Sequence, residues 1–145
     1  MQPSAFDPKW LSHKFNGPGL CSEVGICIRT GDIVWAHGGL PCGEWPDLRL
    51  ARNAIIAALQ PGGKIIADRG YNDPIFFYVP NGNADVQKKK ILARHETVNK
   101  RMKQFCCMNV RFRHSLHLHL CFFHAAVNLT QLMIENGEPL YSIDF

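Results

Sequence analysis

Apolar and polar positions alternate with a period of two along the first part of the chain, a pattern typical of a β-strand with one buried face. Leu20, Val24 and Ile26 fall on one side of this strand. Residues 30–32 (TGD) supply turn residues, after which a second apolar run begins. The pattern therefore predicts a β-hairpin over residues 19–38.

Shorter apolar runs follow the hairpin. Glycines and a proline predict a loop over residues 38–43, and Pro46 followed by Asp47 predicts the start of a helix that runs over residues 48–59. Residues 64–68 and 75–79 are apolar runs too short for helices, so each predicts a buried strand, the first ending in a carboxylate.

The second half of the chain has the 3.6-residue period of helices. A long helix is predicted over residues 84–105, with a core stripe made of Ile91, His95, Val98, Met102 and Phe105. A last strand is predicted over residues 108–112, and a final helix over residues 115–135, closed by Asn136 and Gly137. This order predicts an α/β fold with a mixed sheet and flanking helices.

Composition narrows the class of protein. A chain of 145 residues, 46% hydrophobic and 19% charged, predicts a single soluble domain. No segment has the uninterrupted apolar length of a membrane span, and the first residues do not resemble a signal peptide. The six cysteines have no regular spacing and predict reduced thiols in an intracellular protein.

Charge is distributed unevenly along the chain. Residues 86–113 hold nine Lys or Arg and one Asp or Glu, a net charge of +8, whereas the whole chain carries +4. Such a block predicts a surface for a polyanion, most simply nucleic acid, and the alternative is a solvated basic helix face. The residues that we predict to contact nucleic acid are Lys88, Lys89, Lys90, Asn99, Lys100, Arg101 and Lys103.

Two carboxylates stand out by position. Asp68 ends a predicted buried strand, and Glu96 lies at the edge of the core stripe of the long helix. Poorly solvated carboxylates brought together would bind a hard cation such as Mg²⁺ or Mn²⁺, which with a phosphate supports phosphodiester cleavage. The alternative is structural: Asp68 accepts hydrogen bonds in its own turn, and Glu96 pairs with Lys100 one helical turn away.

Six segments in this order resemble one protein family. They are KFNGPGL (14–20) with EVG (23–25), TGDIVW (30–35), PCGEWPD (41–47), ADRGY (67–71), RHETVNKR (94–101) and ENGEPL (135–140). Together they resemble the DDE superfamily endonuclease domain, the catalytic domain of transposases similar to the PIF/Harbinger group. The resemblance covers nearly the whole chain.

The resemblance implies a ribonuclease-H-like fold and a site of three acids that binds two divalent cations and cuts and joins DNA. The second acid of the family falls on Asp68 and the third on Glu96, while Asp47 matches an accessory residue. Asn99, Lys100 and Lys103 would line the same groove. The family's first acid lies on a strand upstream of the segment matching residues 5–10, so we expect a domain without that strand and with impaired nuclease activity.

Other residues have competing interpretations. A zinc site is one interpretation of a group of soft ligands within nineteen residues, and buried structural side chains are the favoured one; the group is Cys106, Cys107, His114, His117, His119, Cys121 and His124. Residues 88–90 and 100–103 could act as a bipartite nuclear signal. His95 is interpreted as a hydrogen-bonded core histidine in preference to a catalytic base.

The sequence therefore predicts a transposase-derived, divalent-metal-dependent DNA endonuclease domain in the nucleus. Its expected partner is DNA, with a separate DNA-binding protein as a further candidate partner and no membrane. The alternative from another class is a non-catalytic DNA-binding or protein-interaction module of the same origin, whose acids no longer bind metal.

Overall fold

A computed structural model describes residues 7–14, 16–80 and 85–143. It begins with a single 3-10 turn, Pro8–Trp10, capped by Asp7, whose carboxylate accepts the Lys9 backbone N–H at 3.0 Å. Strand β1 (Leu11–Ser12) then pairs with β2 (Gly17–Pro18) in a short antiparallel ladder.

The predicted hairpin is confirmed and is longer than expected. Strand β3 (Leu20–Ile26) pairs antiparallel with β4 (Ile33–Pro41). The loop predicted from Gly38 is wrong, because the strand continues through both glycines opposite the start of β3. A Cβ at Gly38 would overlap the Ser22 backbone, so only glycine allows this approach at a bulge in the ladder.

The predicted first helix is present in two pieces. Helix α1 (Asp47–Asn53) follows Pro46, and α2 (Ile55–Ala58) continues it after Ala54 leaves the helical region with φ −126° and ψ −85°. Both predicted apolar strands also form, each only two residues long. Strand β5 (Ile65–Ile66) pairs in parallel with β6 (Phe77–Tyr78).

Three helices make up the rest of the chain: α3 (Val86–Met102), α4 (Cys106–Asn109) and α5 (Leu116–Glu135). The two long helices agree with the prediction, and Ser115 is the N-cap residue of α5. The strand predicted over residues 108–112 is wrong. Met108 packs on the main core from within α4, and Phe112 contacts rings of α5, so the apolar alternation serves helix contacts and not a sheet.

The interior consists of two apolar clusters. The larger one joins α3 and α5 to the hairpin, and its buried members are Val98, Met102, Phe123, Val127, Ile134 and Leu140. The smaller one lies between α1 and the parallel strand pair, with Ala51, Ala67 and Phe77 as its buried members. The larger cluster is thus formed mainly by the long helices, and the smaller cluster by α1 and the short parallel strands.

The α/β class is confirmed, but the strands do not form one mixed sheet. They form three two-stranded sheets, in which β3 pairs only with β4 and β5 only with β6 among the described residues. Asp68 follows β5, and Glu96 lies on α3, a helix that contacts β5.

Candidate nucleic-acid and metal site

Asp68 lies at the end of the short parallel strand pair, as predicted, but at the surface. Ala67 before it is buried, whereas Asp68 is exposed, and its Oδ1 accepts the Gly70 backbone N–H at 2.8 Å. This bond is the local turn contact that the structural alternative predicted. The second carboxylate oxygen of Asp68 remains available to another ligand.

Glu96 lies on the outer face of α3, opposite the core. Val98 and Met102 of the same helix are buried, and Glu96 is exposed. The predicted ion pair with Lys100 is not formed, and within the described ranges Glu96 has no ion-pair partner. Its carboxylate is therefore solvated and free to accept a cation.

The accessory residue Asp47 lies in a third setting, at the first turn of α1. Its Oδ1 accepts the Cys21 thiol at 3.1 Å. Burial, and after it the Asp47 carboxylate, raise the pKa of the Cys21 thiol. Burial, followed by the charges of Asp47, Glu23 and Asp68, raises the pKa of Tyr71. The Asp47 and Asp68 carboxylates therefore both act on the Tyr71 side chain.

Glu23 is a further acid of this region that the sequence analysis missed. Its Oε1 accepts the Trp35 indole N–H at 2.8 Å, and burial raises the pKa of its carboxyl group. Cys21, Glu23 and Gly25 alternate with the apolar positions of β3, and Gly25 faces Ile55 of α2. The period of two could have placed Glu23 opposite the apolar face, beside Asp47.

The predicted metal ligands are two acids, Asp68 and Glu96. In the part of the chain that the structure describes, no three His, Cys, Asp or Glu side chains are arranged to hold a metal ion. The same finding applies to the seven Cys and His residues of the zinc alternative, in which all cysteines are free thiols. Metal binding by Asp68 and Glu96 stays a prediction.

His95 has the structural role that the sequence analysis favoured. Its Nε2 lies 2.7 Å from the Val24 carbonyl oxygen, and its Nδ1 lies 3.4 Å from the Asn99 Nδ2. Because a carbonyl only accepts, Nε2 carries the proton and Nδ1 accepts from the Asn99 amide. Asn99, predicted to contact nucleic acid, therefore contacts the ring that fixes α3 to the hairpin.

The predicted basic residues divide into two groups. Lys88 makes an ion pair and a cation–π contact: its Nζ lies 3.0 Å from the Asp85 Oδ1 and 3.4 Å from the centre of the Tyr78 ring. Arg101 donates to the Glu138 carbonyl. The exposed members are Lys89, Lys90, Lys100 and the C-cap residue Lys103. Helical geometry places Lys89, Lys100 and Lys103 on the face of Glu96, seven residues before it and four and seven after it.

Arg94 is a structural residue that the sequence analysis did not identify. It is only 3% exposed, and its guanidinium donates to the carbonyls of Ile28 (2.9 Å) and Thr30 (3.4 Å) in the hairpin turn. The α5 residue Gln131 binds the same turn, through the Ile33 N–H at 2.7 Å and the Asp32 carboxylate at 3.0 Å. Arg94 lies three residues after Ile91 and four before Val98, so the helical period could have identified it as buried.

Comparison of the chain with protein-family models, with curated proteins and with solved structures finds no match. No helix within the described ranges has the length and hydropathy needed to cross a membrane.

Proposed function

We propose that the chain is a DNA-binding domain of the DDE endonuclease kind, in which Asp68 and Glu96 are residual ligands of Mg²⁺ or Mn²⁺ and DNA cleavage is impaired. The observation that carries the proposal is the outer face of α3, where Lys89, Lys100 and Lys103 are exposed on the face that also holds Glu96. The resemblance of the six sequence segments supplies the nuclease ancestry and the ribonuclease-H-like arrangement.

The charge pattern favours a nucleic-acid partner over an ordinary solvated helix face. Solvated faces usually mix both signs in equal number, whereas the three exposed lysines outnumber the acids of the same row, Glu96 and the N-cap residue Asp85. The chain has no Asp or Glu between Glu96 and Glu135, so α4 carries no carboxylate and α5 carries one, at its last residue. Lysines in such a row bind phosphates and release condensed counterions.

The metal part of the proposal rests on the chemistry of two donors. Both side chains supply hard oxygen ligands at exposed positions, which suits Mg²⁺ or Mn²⁺. Two carboxylates alone supply too few oxygen ligands to hold two ions. We therefore propose impaired cleavage and derive no cleavage step through a metal.

The same proposal includes the cellular setting. A transposase-derived domain acts on DNA in the nucleus, and the two lysine groups of α3 are the proposed nuclear signal. No helix-turn-helix or zinc finger is evident in the sequence, so a separate DNA-binding protein would supply site selection.

DNA binding is tested by fluorescence anisotropy with a labelled duplex at several salt concentrations. The variant Lys89→Gln/Lys100→Gln/Lys103→Gln should weaken binding and reduce the slope of log K against log salt by about 0.9 for each phosphate that it no longer neutralises. The matched control, Lys9→Gln/Lys14→Gln/Lys64→Gln, removes the same charge outside α3 and should change binding less. Equal effects of the two variants would contradict the proposed surface.

The metal part is tested with Glu96→Gln and Asp68→Asn. With EDTA, Glu96→Gln should bind duplex DNA more tightly than the wild type, because it removes a negative charge from the lysine face. With Mn²⁺, the wild type should gain affinity and both variants should not. Robust Mn²⁺-dependent cleavage that Asp68→Asn abolishes would refute impaired activity.

The second candidate function is the non-catalytic module, and one observation favours it. The Asp68 carboxylate already accepts the Gly70 backbone N–H in a turn of its own, so a structural role is enough to explain its position. If Mn²⁺ leaves DNA binding of the wild type and both acid variants unchanged, the module without metal is the correct function.

A further inference from the structure

Four ring side chains meet where the connection between α4 and α5 lies against the start of α5. The Phe112 ring stands edge-on to three others: His114 at 5.5 Å and 67°, Phe122 at 5.6 Å and 66°, and His119 at 5.0 Å and 84° between ring centres and planes. We call Phe112, His114, His119 and Phe122 the ring cluster. None of its members belongs to the proposed lysine face of α3.

Two rings of the cluster are accessible and nearly parallel. The ring planes of His114 and Phe122 are inclined by only 18°, with ring centres 6.4 Å apart. Phe122 is 41% exposed, and His114 is exposed as well. Aromatic surface of this kind costs free energy in water and is favourable as a platform for another flat ring.

Positive charge surrounds the ring cluster. Arg111 and Arg113 flank Phe112 in the sequence, and both are exposed. Neither guanidinium forms an ion pair with any described residue. The absence of Asp and Glu between residues 97 and 134 extends to this surface, so the two arginines are available to an anion.

We propose that the ring cluster, with Arg111 and Arg113, is a binding site for an unpaired base of a single-stranded nucleic acid. The base stacks on Phe122 and His114, and the arginines bind the flanking phosphates. Duplex DNA keeps its bases inside the helix and does not present them to such a platform. The site extends the proposed DNA-binding function to unpaired strands, and it rests on that function only for the choice of DNA over RNA.

The imidazoles of the cluster argue against a metal at the same place. The Phe112 ring contacts both His114 and His119 at aromatic distances. The Nδ1 of His119 is buried without a hydrogen-bond partner in the described structure, which leaves its ring as a flat, weakly solvated surface next to Phe112.

The proposal is tested by anisotropy in EDTA with labelled (dT)15, (rU)15 and a DNA duplex of the same length. The variant Phe122→Ala should weaken (dT)15 binding by about five- to 100-fold, as expected for the removal of one stacking partner. Phe122→Tyr should retain binding, because it keeps the ring. Leu132→Ala, on the same helix and 51% exposed in the wild type, is the matched control and should have no effect.

The arginines give a second measurement. Arg111→Gln/Arg113→Gln should lower the salt dependence of (dT)15 binding by about 0.7 for each phosphate that the variant no longer neutralises. Equal decreases in affinity for (dT)15 and (rU)15 would indicate recognition of base and phosphate alone. A decrease for (rU)15 only would contradict the choice of DNA.

Photochemical cross-linking locates the base independently of any variant's stability. An oligonucleotide with one 5-iodouracil should cross-link to peptides that contain Phe112, His114 or Phe122. Cross-links confined to α3, or equal decreases of (dT)15 and duplex affinity in Phe122→Ala, would overturn the site. A wild-type dimer that Phe122→Ala converts to a monomer would also overturn it, in favour of a second copy of the chain.

The outcomes separate this site from the proposed function. If Phe122→Ala binds (dT)15 as the wild type does, while the α3 lysine variant still has weakened duplex binding, the base site fails and the proposed function stands. If duplex binding is insensitive to the α3 lysines but (dT)15 binding depends on Phe122, the proposed function fails and the base site stands.

Discussion

The structural elements that carry Asp68 and Glu96 differ in length and in the apolar cluster on which each one packs. Asp68 follows a two-residue strand whose cluster has three buried apolar members, Ala51, Ala67 and Phe77. Glu96 stands on a 17-residue helix that contributes Val98 and Met102 to a cluster of six buried side chains shared with α5. The position of Glu96 is thus fixed by long-range packing, and that of Asp68 by a short ladder and a turn.

This difference bears on function because a metal site needs its ligands held in one geometry. Asp68 and Glu96 lie on different elements, so they keep a common geometry only if β5 and α3, which contact each other, move as one unit. DNA binding by the lysines of α3 has no such requirement, since all of them lie on one helix or its C-cap. The comparison therefore favours DNA binding as the more robust part of the proposed function.

The largest effect is expected from truncating a buried phenylalanine in either apolar cluster, which tests whether the two clusters unfold independently. Phe123→Ala in the larger cluster should destabilise the whole chain by about 3–5 kcal/mol, because the Phe123 side chain is 1% exposed and its removal leaves a cavity. Phe77→Ala, at 3% exposure in the smaller cluster, should instead open β5 and β6 locally. Native-state hydrogen exchange with mass spectrometry measures both.

In that measurement, Phe77→Ala should accelerate exchange over residues 64–78 and leave the amides of β3 and β4 protected. Faster exchange of the hairpin to the same degree would show that the two clusters unfold as one unit, and the comparison between Asp68 and Glu96 would no longer hold. Exposed Leu129→Ala on α5 is the control for a truncation without a buried cavity.

The elements that the sequence predicted well are those with many repeats of one period. Helices α3 and α5 carry apolar stripes over 17 and 20 residues, and Ser115 and Gly137 mark the ends of α5. The continuation of β4 through Gly38 could not be predicted, because two glycines resemble a loop until their pairing with Ser22 is known. The strand predicted over residues 108–112 failed because an alternating run of five residues fits helix contacts equally well.

The site was predicted in part. The strand-end position of Asp68 and the basic row of α3 followed from the sequence, whereas the solvation of Glu96 depends on what packs against its helix. Arg94 and Glu23 were missed although the periods of α3 and β3 mark both positions, because charged side chains are usually assigned to the surface. The partners of Arg94 are carbonyls more than 60 residues away in the chain.

A smaller effect is expected at Arg94, which ties the hairpin to the larger region. Arg94→Met removes two hydrogen bonds to the Ile28 and Thr30 carbonyls and should cost about 1–3 kcal/mol of unfolding free energy. Urea denaturation with an unchanged m-value measures the decrease. Lys100→Met, at an exposed position of the same helix, should change stability by less than about 0.5 kcal/mol. A stable Arg94→Met would show that packing alone holds the hairpin on α3.

The smallest expected effect is on the pH dependence of stability, to which Asp73 and Glu23 contribute with opposite signs. The Arg52 guanidinium, 2.7 Å from the Asp73 Oδ2, holds the pKa of Asp73 below its usual 3.8. Its stabilisation is therefore complete above that pH and disappears as pH falls through the lower folded pKa. Burial raises the pKa of Glu23 above 4.5, so the folded state gains from its proton at low pH and loses that gain as pH rises through the folded pKa.

Replacing each acid by its amide tests these opposite signs. The wild type should lose stability in acid as Asp73 is protonated, and Asp73→Asn should not show this loss. The wild type should also lose stability above pH 4.5 as Glu23 ionises, and Glu23→Gln should not show that loss. Urea midpoints measured from about pH 2 to about pH 7 follow both changes, each smaller than that of Arg94→Met. The same sign for both variants would mean that the Arg52 contact of Asp73 or the burial of Glu23 does not set the pH dependence of stability.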